Sequence, residues 1–186
     1  PEAAIEELLS IAPEGLNRRR VRLAGHYLNA RSFLLDNRVH ATQAGYELIT
    51  PFADASGAIV LVNRGWLAAP PRREQLPTVM PVEGKLQLTG ELFVAAEPAA
   101  AMQAEEGWPR RIQAVDVRQM AQLLQRAVFP HQLLLGPGQP GVYVAAWPLV
   151  DLSSQRHIAY AVQWFLLAAM SPLAYLFGGT NFLQWQ

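Results

Sequence analysis

The chain has 186 residues with 15 basic and 15 acidic side chains, so no excess charge directs it toward nucleic acid. It contains no cysteine, which excludes disulfides, thiolate zinc sites, iron–sulfur clusters and cysteine nucleophiles. The length suits one domain of ordinary size with an appendage, and the 14 prolines and 13 glycines favour many turns between short strands.

The first third of the chain predicts one helix followed by strands. Residues 1–12 place apolar side chains at helical spacing, and we expect Pro13 and Gly15 to end this helix. From Arg20 onward, charged and apolar residues alternate with a period of two, which indicates a strand. Two further strands are expected in "SFLLDNRV", which we expect to pair with the first, and in "AGYELITPF". Within the former, "DNR" is typical of a turn or a strand end.

The middle of the chain has the strongest strand signals. The segment "AIVLVNRGWL" (residues 58–67) is rich in β-branched and aromatic residues, and Gly65 within it is expected to permit a bulge or a close approach by Trp66. The segment "GKLQLTGELFV" (residues 84–94) alternates cleanly. Residues 97–111 are rich in Ala, Glu and Pro, which predicts a loop or excursion.

A short helix and two more strands complete the predicted domain. Asp116 is the expected N-cap of the helix, whose apolar face carries Met120, Leu123 and Leu124. Strands are expected at residues 133–135 and 142–147, joined by the turn "GPGQPG". About seven short strands predict a mainly β fold, a closed or nearly closed antiparallel β-barrel with short helical insertions.

The C-terminal part of the chain predicts a transmembrane helix. The 20 residues from Ile158 to Phe177 carry no charge and span roughly 30 Å as a helix, the thickness of a bilayer's hydrocarbon core. Aromatic residues flank both ends, and the pair Ser171-Pro172 is expected to kink the helix. We therefore divide the chain into an extramembrane domain (residues 1–155) and a membrane helix with its tail (residues 156–186). A buried helix of a soluble domain is the alternative.

One face of this predicted helix is suited to a flat hydrophobic cofactor. At helical spacing it carries an imidazole, aromatic rings and small side chains, from His157, Tyr160, Ala161, Trp164, Ala168 and Ser171. Such a stripe allows the imidazole nitrogen to serve as an axial ligand to a haem iron. The alternative is that a histidine beside an arginine at a helix end contacts only solvent or lipid headgroups.

Four segments in order along the chain resemble the Surfeit locus protein family. They are "LLDNRV" (residues 34–39), "GYELITPF" (residues 45–52), "LVNRGWL" (residues 61–67) and "RHIAYAVQWF" (residues 156–165). Members of that family are assembly factors of cytochrome c oxidase. The resemblance implies a domain outside the membrane, held between two transmembrane helices, of which the first would precede Pro1 and is missing from this chain.

The resemblance also implies a function and partners. The family is implicated in delivering haem a to subunit I of the oxidase or in stabilising it there, and His157 matches the histidine proposed as its haem ligand. Expected partners are cytochrome c oxidase subunit I, haem a synthase and membrane lipid, with no nucleic acid. The expected location is the bacterial inner membrane with a periplasmic domain, in preference to the mitochondrial inner membrane.

Arg64 is a further candidate for the cofactor site. It follows an apolar strand run, so we expect it at a strand end or on the outward side, where it would pair with a haem propionate. The alternative, which we favour, is a structural ion pair with an acid such as Asp36. The remaining histidines have no metal-ligand spacing, and no acidic dyad or nucleophile elbow is found. We therefore expect no enzyme.

Three functions remain open from the sequence. The leading hypothesis is a membrane-anchored assembly factor that binds haem a at His157, Tyr160 and Trp164 and hands it over to subunit I. The second is a structural chaperone of an oxidase subunit that binds no cofactor, in which the small residues of the stripe serve helix packing. The third is a soluble barrel that binds a small apolar ligand, with the terminal helix as a lid.

Overall fold

The fold is mainly β. The computed structural model describes residues 5–8, 13–72, 75–94, 102–147 and 163–172. The strands are β1 (Arg20–Tyr27), β2 (Phe33–His40), β3 (Gln43–Asp54), β4 (Ile59–Ala68), β5 (Leu86–Phe93), β6 (Arg110–Ile112) and β7 (Gln132–Leu135). The helices are α1 (Ile5–Leu8), α2 (Pro13–Leu16), a 3-10 helix (Asn29–Arg31), α3 (Val117–Leu124) and α4 (residues 163–172).

Five strands close into a barrel in the order β1-β5-β7-β4-β3, and β3 returns to pair with β1. Strands β2 and β6 continue the sheet outward from β3. The predicted barrel is therefore confirmed, but the prediction of wholly antiparallel pairing is wrong, because β7 runs parallel to β4 and β6 runs parallel to β2. Parallel neighbours need a long crossover, and the chain between β4 and β7 provides one that includes β5, β6 and α3.

The barrel interior is filled by alternate side chains from all five of its strands. These include Val21 and Leu23 of β1, Phe52 of β3, Val60 and Val62 of β4, Leu88 and Leu92 of β5, and Leu133 and Leu135 of β7. The period-2 pattern predicted for β1 is confirmed, since its valine and leucine are buried while its two arginines are exposed. Buried residues of α1 and α2 belong to the same cluster, so these short helices cover part of the barrel core.

A second apolar cluster covers the extension of the sheet. Phe33 and Leu35 of β2 and Ile112 of β6 pack with Met120 of α3. The predicted N-cap is confirmed, because the Asp116 side chain accepts hydrogen bonds from the backbone N–H groups of the second and third helical residues. Met120 is fully buried, as the predicted apolar face requires. Helix α3 therefore serves as an outer layer over β2 and β6.

Several local predictions differ from the structure. Pro13 begins α2 and Gly15 lies within it, a placement that the pre-set φ of proline favours at the first helical position. β6 begins at the end of the predicted loop over residues 97–111. The predicted strand at residues 142–147 makes one isolated bridge, Trp66 to Val144.

Strand β2 also differs from its prediction. It pairs with β3 and β6, and the barrel strand β1 pairs with β3 and β5 instead. The "DNR" segment forms neither a turn nor a strand end. It lies inside β2, where the register with β3 shifts between Leu35 and Arg38. Asn37, within this shift, has a positive φ of 59°.

The seam that closes the barrel is short. β1 meets β3 in three residue pairs, Gly25 with Asp54, His26 with Ala53, and Tyr27 with Phe52. The Asp54 carboxylate reinforces this seam, since it accepts hydrogen bonds from the backbone N–H of Ala24 at 2.9 Å and from the N–H and hydroxyl of Ser56 at 3.0 and 2.7 Å. Closure of the barrel thus depends on a few backbone pairs and one carboxylate.

Asp54 is expected to make stability depend on acid pH. Burial acts to raise its pKa, but the hydrogen bonds from Ser56, Ala24 and Ala55 outweigh this and hold the pKa below its ordinary value. A lowered folded-state pKa contributes stability above the unfolded value of about 4, and that stability is lost as the pH falls through the folded value. We expect Asp54→Asn to lower the free energy of unfolding by about 1 kcal/mol at neutral pH.

Urea unfolding at neutral pH and at successive acid pH values measures this difference. The gap between wild type and Asp54→Asn should shrink as the pH falls, because protonation removes the same charge from the wild type. Glu106→Gln is the matched control. Glu106 is exposed, and its substitution removes one carboxylate at a site away from the seam. A gap that stays constant with pH, or that Glu106→Gln reproduces, would contradict the role given to Asp54.

The chain divides into two compact units, residues 1–147 and residues 148–186. The described part of the second unit is α4, in which all ten residues are exposed. The Ser171 hydroxyl donates a hydrogen bond to the Leu167 carbonyl within this helix. Among the described residues, no helix combines the length and the hydropathy that crossing a membrane requires. The predicted span from Ile158 to Phe177 is described only over residues 163–172, and it stays a prediction, as does the predicted domain division.

Candidate functional site around Arg64

A β-bulge in β4 determines the position of Arg64. In the pairing with β3, Leu48 faces Gly65 and Ile49 faces Asn63, so Arg64 is the extra residue between them. Gly65 has a φ of 107°, in the region that favours glycine, and a Cβ there would lie 2.6 Å from the Val144 carbonyl oxygen. The predicted bulge at Gly65 is confirmed. Bulges of this kind redirect a side chain, and here both Asn63 and Arg64 are buried.

The Arg64 side chain lies in a buried pocket of neutral groups. Its Nε donates to the Gly141 carbonyl at 2.8 Å, its Nη1 to the Thr50 hydroxyl at 3.4 Å, and its Nη2 to the Met80 carbonyl at 3.4 Å. Its guanidinium carbon lies 4.8 Å from the ring centroid of Tyr27 and 5.4 Å from that of Tyr143. Arg64 therefore connects the barrel to the chain segments around residues 80 and 141.

Burial dominates the electrostatics of this group. It holds the pKa of Arg64 below its ordinary value, although Tyr27 and Tyr143 act in the opposite direction. Burial also raises the pKa of Tyr27 to about 12, against the opposing effect of the Arg64 charge. The Tyr27 hydroxyl donates to the Pro140 carbonyl at 3.1 Å. The ion pairs among the described residues do not include Arg64, so its stabilisation comes from carbonyl, hydroxyl and aromatic groups.

A second polar network surrounds the bulge. The Asn63 side chain donates to Glu47 at 2.7 Å and accepts from the backbone N–H of Gly65 at 3.2 Å. Glu47 in turn pairs with Arg38 of β2 at 3.2 Å, and the Trp66 indole N–H donates to the Arg38 carbonyl at 3.3 Å. Three adjacent strands, β2, β3 and β4, are thus tied together around the bulge.

The structure corrects the predicted position of Arg64. The side chain is 1% exposed and lies inside β4, so the expectation of a strand end or an outward position was wrong. The expected ion pair with Asp36 is also wrong, because Asp36 accepts hydrogen bonds from Asn37 and Gln113 and none from Arg64. The error arose because the bulge depends on the register with β3, which β4 alone does not reveal.

The other predicted site residues belong to the second unit. His157 and Tyr160 lie outside the described residues. Trp164 lies in α4 and is 70% exposed. Arg64 belongs to the first unit and Trp164 to the second, so the described residues do not test the four candidates as one site. Among the described residues, no group of three or more His, Asp or Glu side chains is placed to hold a metal ion.

Sequence reasoning missed the partners of Arg64. Tyr27, Thr50, Met80, Gly141 and Tyr143 come from separate segments, and nothing in the local pattern links them. The one available signal was indirect, since a charged residue inside the most apolar strand run must find buried partners. That principle predicts that Arg64 has buried hydrogen-bond partners, but it does not identify the residues.

Three of the four segments that resemble a known family are neighbours in the sheet. Residues 34–39 lie in β2, residues 45–52 in β3 and residues 61–67 in β4, and these strands pair in that order. A comparison with family models finds a match to the SURF1 family over residues 2–169. The chain belongs to the SURF1 family. The match covers the barrel and residues 163–169 of α4.

The SURF1 family is linked to the assembly of cytochrome c oxidase. It is a family of assembly factors and not a known class of enzyme. A search of curated proteins finds no match to the chain. The Arg64 bulge, with its buried cation bound to carbonyl and hydroxyl groups of three chain segments, is consistent with a stabilising role in such a factor.

Proposed function

We propose that this member of the SURF1 family is a membrane-anchored factor that assists the insertion of haem a into subunit I of cytochrome c oxidase. The barrel would lie in the periplasm of a bacterium and dock on subunit I or on haem a synthase. Residues 158–177 would anchor it in the inner membrane. Its action would be binding and hand-over, without a chemical reaction.

The observation that carries this proposal is the exposed apolar surface of α4. Its large apolar side chains are between 50% and 77% exposed, namely Trp164, Phe165, Leu166, Leu167 and Met170. Soluble monomers rarely expose a contiguous patch of this kind, and such patches mark contacts with membrane or with another protein. No charged residue follows Arg156. A lipid environment would cover these side chains.

Haem a is proposed to bind at the N-terminal end of this segment. Trp164 and Ala168 are four residues apart, so they lie on one face of α4. His157 and Tyr160 continue that face if the helix extends toward the N-terminus. A large ring beside a small side chain suits a flat apolar cofactor, and the His157 imidazole would supply an axial ligand that can be released.

Arg64 has no part in this binding as we propose it. A haem propionate would have to displace the carbonyls of Gly141 and Met80 and reach a side chain that is 1% exposed. Pairing of Arg64 with a haem propionate stays a prediction, and the burial of the side chain disfavours it.

A haem a titration followed by absorbance tests the proposal. The full chain is solubilised in detergent, and wild type is compared with His157→Ala. His26→Ala is the matched control, since His26 is an exposed histidine of β1. We expect a single saturable site in wild type and in His26→Ala, and a loss of about tenfold or more in affinity with a changed Soret band in His157→Ala.

The other outcomes separate the alternatives. Equal spectra and affinities in all three proteins would remove His157 as the ligand. No binding in any of them, with a folded barrel, would favour a structural chaperone without cofactor. If the full chain stays monodisperse without detergent, the anchoring part of the proposal fails, and the exposed face of α4 must meet a protein surface instead.

A further inference from the structure

A cavity lies between the 3-10 helix and the C-terminal end of α3. Its volume is about 330 Å³, and its lining is mostly apolar. The lining residues are Leu28, Asn29, Ala30, Arg31, Ile59, Leu124 and Arg126. Two arginines thus face a small apolar space, and none of the lining residues is acidic.

Both arginines of the cavity are exposed, and the Glu83 carboxylate lies 3.4 Å from the amide nitrogen of the lining residue Asn29. No acid among the described residues forms an ion pair with Arg31 or Arg126. The Arg31 guanidinium carbon lies 5.0 Å from the ring centroid of Trp108, and the same ring lies 4.9 Å from the guanidinium carbon of Arg110. Arg110 Nε is buried and lacks a hydrogen-bond partner among the described residues. Arg31 and Arg110 thus both lie against the Trp108 ring.

The Arg126 side chain does not cap the C-terminal end of α3. An arginine after a helix often caps the last carbonyls. Here Gln125, in the left-handed conformation, donates its backbone N–H to the Ala121 and Gln122 carbonyls, and the backbone N–H of Arg126 also donates to Ala121. The helix end is thus capped by backbone groups. The exposed Arg126 side chain is therefore not needed to cap the helix.

The remaining polar group of the cavity is already engaged. The Asn29 side chain donates to the Val82 carbonyl at 3.1 Å and accepts from the Val82 N–H at 3.1 Å. It therefore holds the 3-10 helix in place and offers little to a ligand. The lining of the cavity thus combines three apolar residues, Leu28, Ile59 and Leu124, with two arginines.

We propose that this cavity binds a small amphiphile, an apolar chain that ends in a carboxylate or phosphate group. The apolar chain would lie against Leu28, Ile59 and Leu124, and Arg31 and Arg126 would donate charge-assisted hydrogen bonds to the anionic head. A volume of about 330 Å³ is at the lower end for ligand pockets, which limits the ligand to one short chain. This site is independent of the haem a proposal.

Titration calorimetry with two anionic probes tests the site. The full chain is held in nanodiscs of neutral phosphatidylcholine, with empty nanodiscs as the blank, and is titrated with decanoate and with decyl phosphate. Decyltrimethylammonium is the cationic control. Wild type is compared with the double variant Arg31→Gln/Arg126→Gln and with Arg72→Gln, which removes an exposed arginine outside the cavity. Ala30→Phe is chosen to narrow the cavity with a larger lining side chain and without a change of charge.

We expect one saturable site for the anionic probes in wild type and in Arg72→Gln. Affinity should fall by about 30-fold or more in the double variant and be lost in Ala30→Phe. Preference for one anion would identify the head group as a carboxylate or a phosphate. Binding of the cationic probe with equal affinity, equal binding in the double variant, or no binding by folded wild type would overturn the proposal.

Discussion

Replacing Arg64 by methionine is expected to lower the free energy of unfolding by about 2–3 kcal/mol. Methionine fills a similar volume, but it leaves the Gly141 and Met80 carbonyls and the Thr50 hydroxyl without the donor they now have. Relief from burying a charge opposes this loss, since replacing buried ions by apolar groups is often neutral or stabilising. We expect the two unsatisfied carbonyls to dominate, because they belong to separate segments that Arg64 joins to the barrel, whereas the Thr50 hydroxyl keeps its hydrogen bond with Ser32 at 3.0 Å.

Urea unfolding measured by circular dichroism gives the Arg64 result. Arg64→Lys should lose nearly as much stability. The planar guanidinium reaches three acceptors from separate nitrogens while its face lies against the tyrosine rings, and the compact ammonium of lysine cannot reproduce that arrangement. Arg72→Met is the control for removing an exposed arginine, with an expected change within about 0.5 kcal/mol. A methionine variant that is as stable as the wild type would show that the Arg64 contacts are not needed for folding.

Gly25→Ala is expected to destabilise the barrel by about 3 kcal/mol or more. A Cβ at this position would lie 1.9 Å from the Ala53 carbonyl oxygen and 2.9 Å from the Phe52 ring. The oxygen belongs to the backbone of β3, so it cannot move away without separating the strands at the seam. Alanine is otherwise better than glycine in a strand, so any loss measured here comes from the clash.

Thermal unfolding and hydrogen exchange distinguish this clash from a general effect of removing glycine. Gly57→Ala is the control, since a Cβ there has open space and the cost of about 1 kcal/mol comes from the φ of 94° alone. In Gly25→Ala, the backbone amides that join β1 to β3 should lose exchange protection first. Similar losses in the two variants, or unchanged protection at the seam, would show that the seam tolerates a wider spacing.

Local patterns predicted the elements whose burial follows a simple period. Burial in strands β1 and β5 alternates along their whole length, and the N-cap of α3 is formed by Asp116 and the amides two and three residues after it. These features depend on neighbours within a few residues. Strand β6, with three residues in parallel pairing, has too little pattern to be found without β2 beside it.

Features that depend on register were not predictable from one segment. The burial of Arg64 follows from one extra residue in the pairing of β4 with β3, and its hydrogen-bond partners lie up to 77 positions away in sequence. The cavity at Arg31 and Arg126 is formed in the same way, since the 3-10 helix and the end of α3 meet only in the folded domain. The family resemblance supplied the assembly function, which neither composition nor spacing indicated.

The position of β7 has a consequence for how the protein is made. This strand comes last in the barrel sequence but lies between β4 and β5, both of which emerge from the ribosome earlier. Until residues 132–135 are available, the facing edges of β4 and β5 have no partner, and the apolar interior stays open. Exposed strand edges recruit other chains. A nascent chain that pauses before β7 should therefore depend on chaperones that shield strand edges.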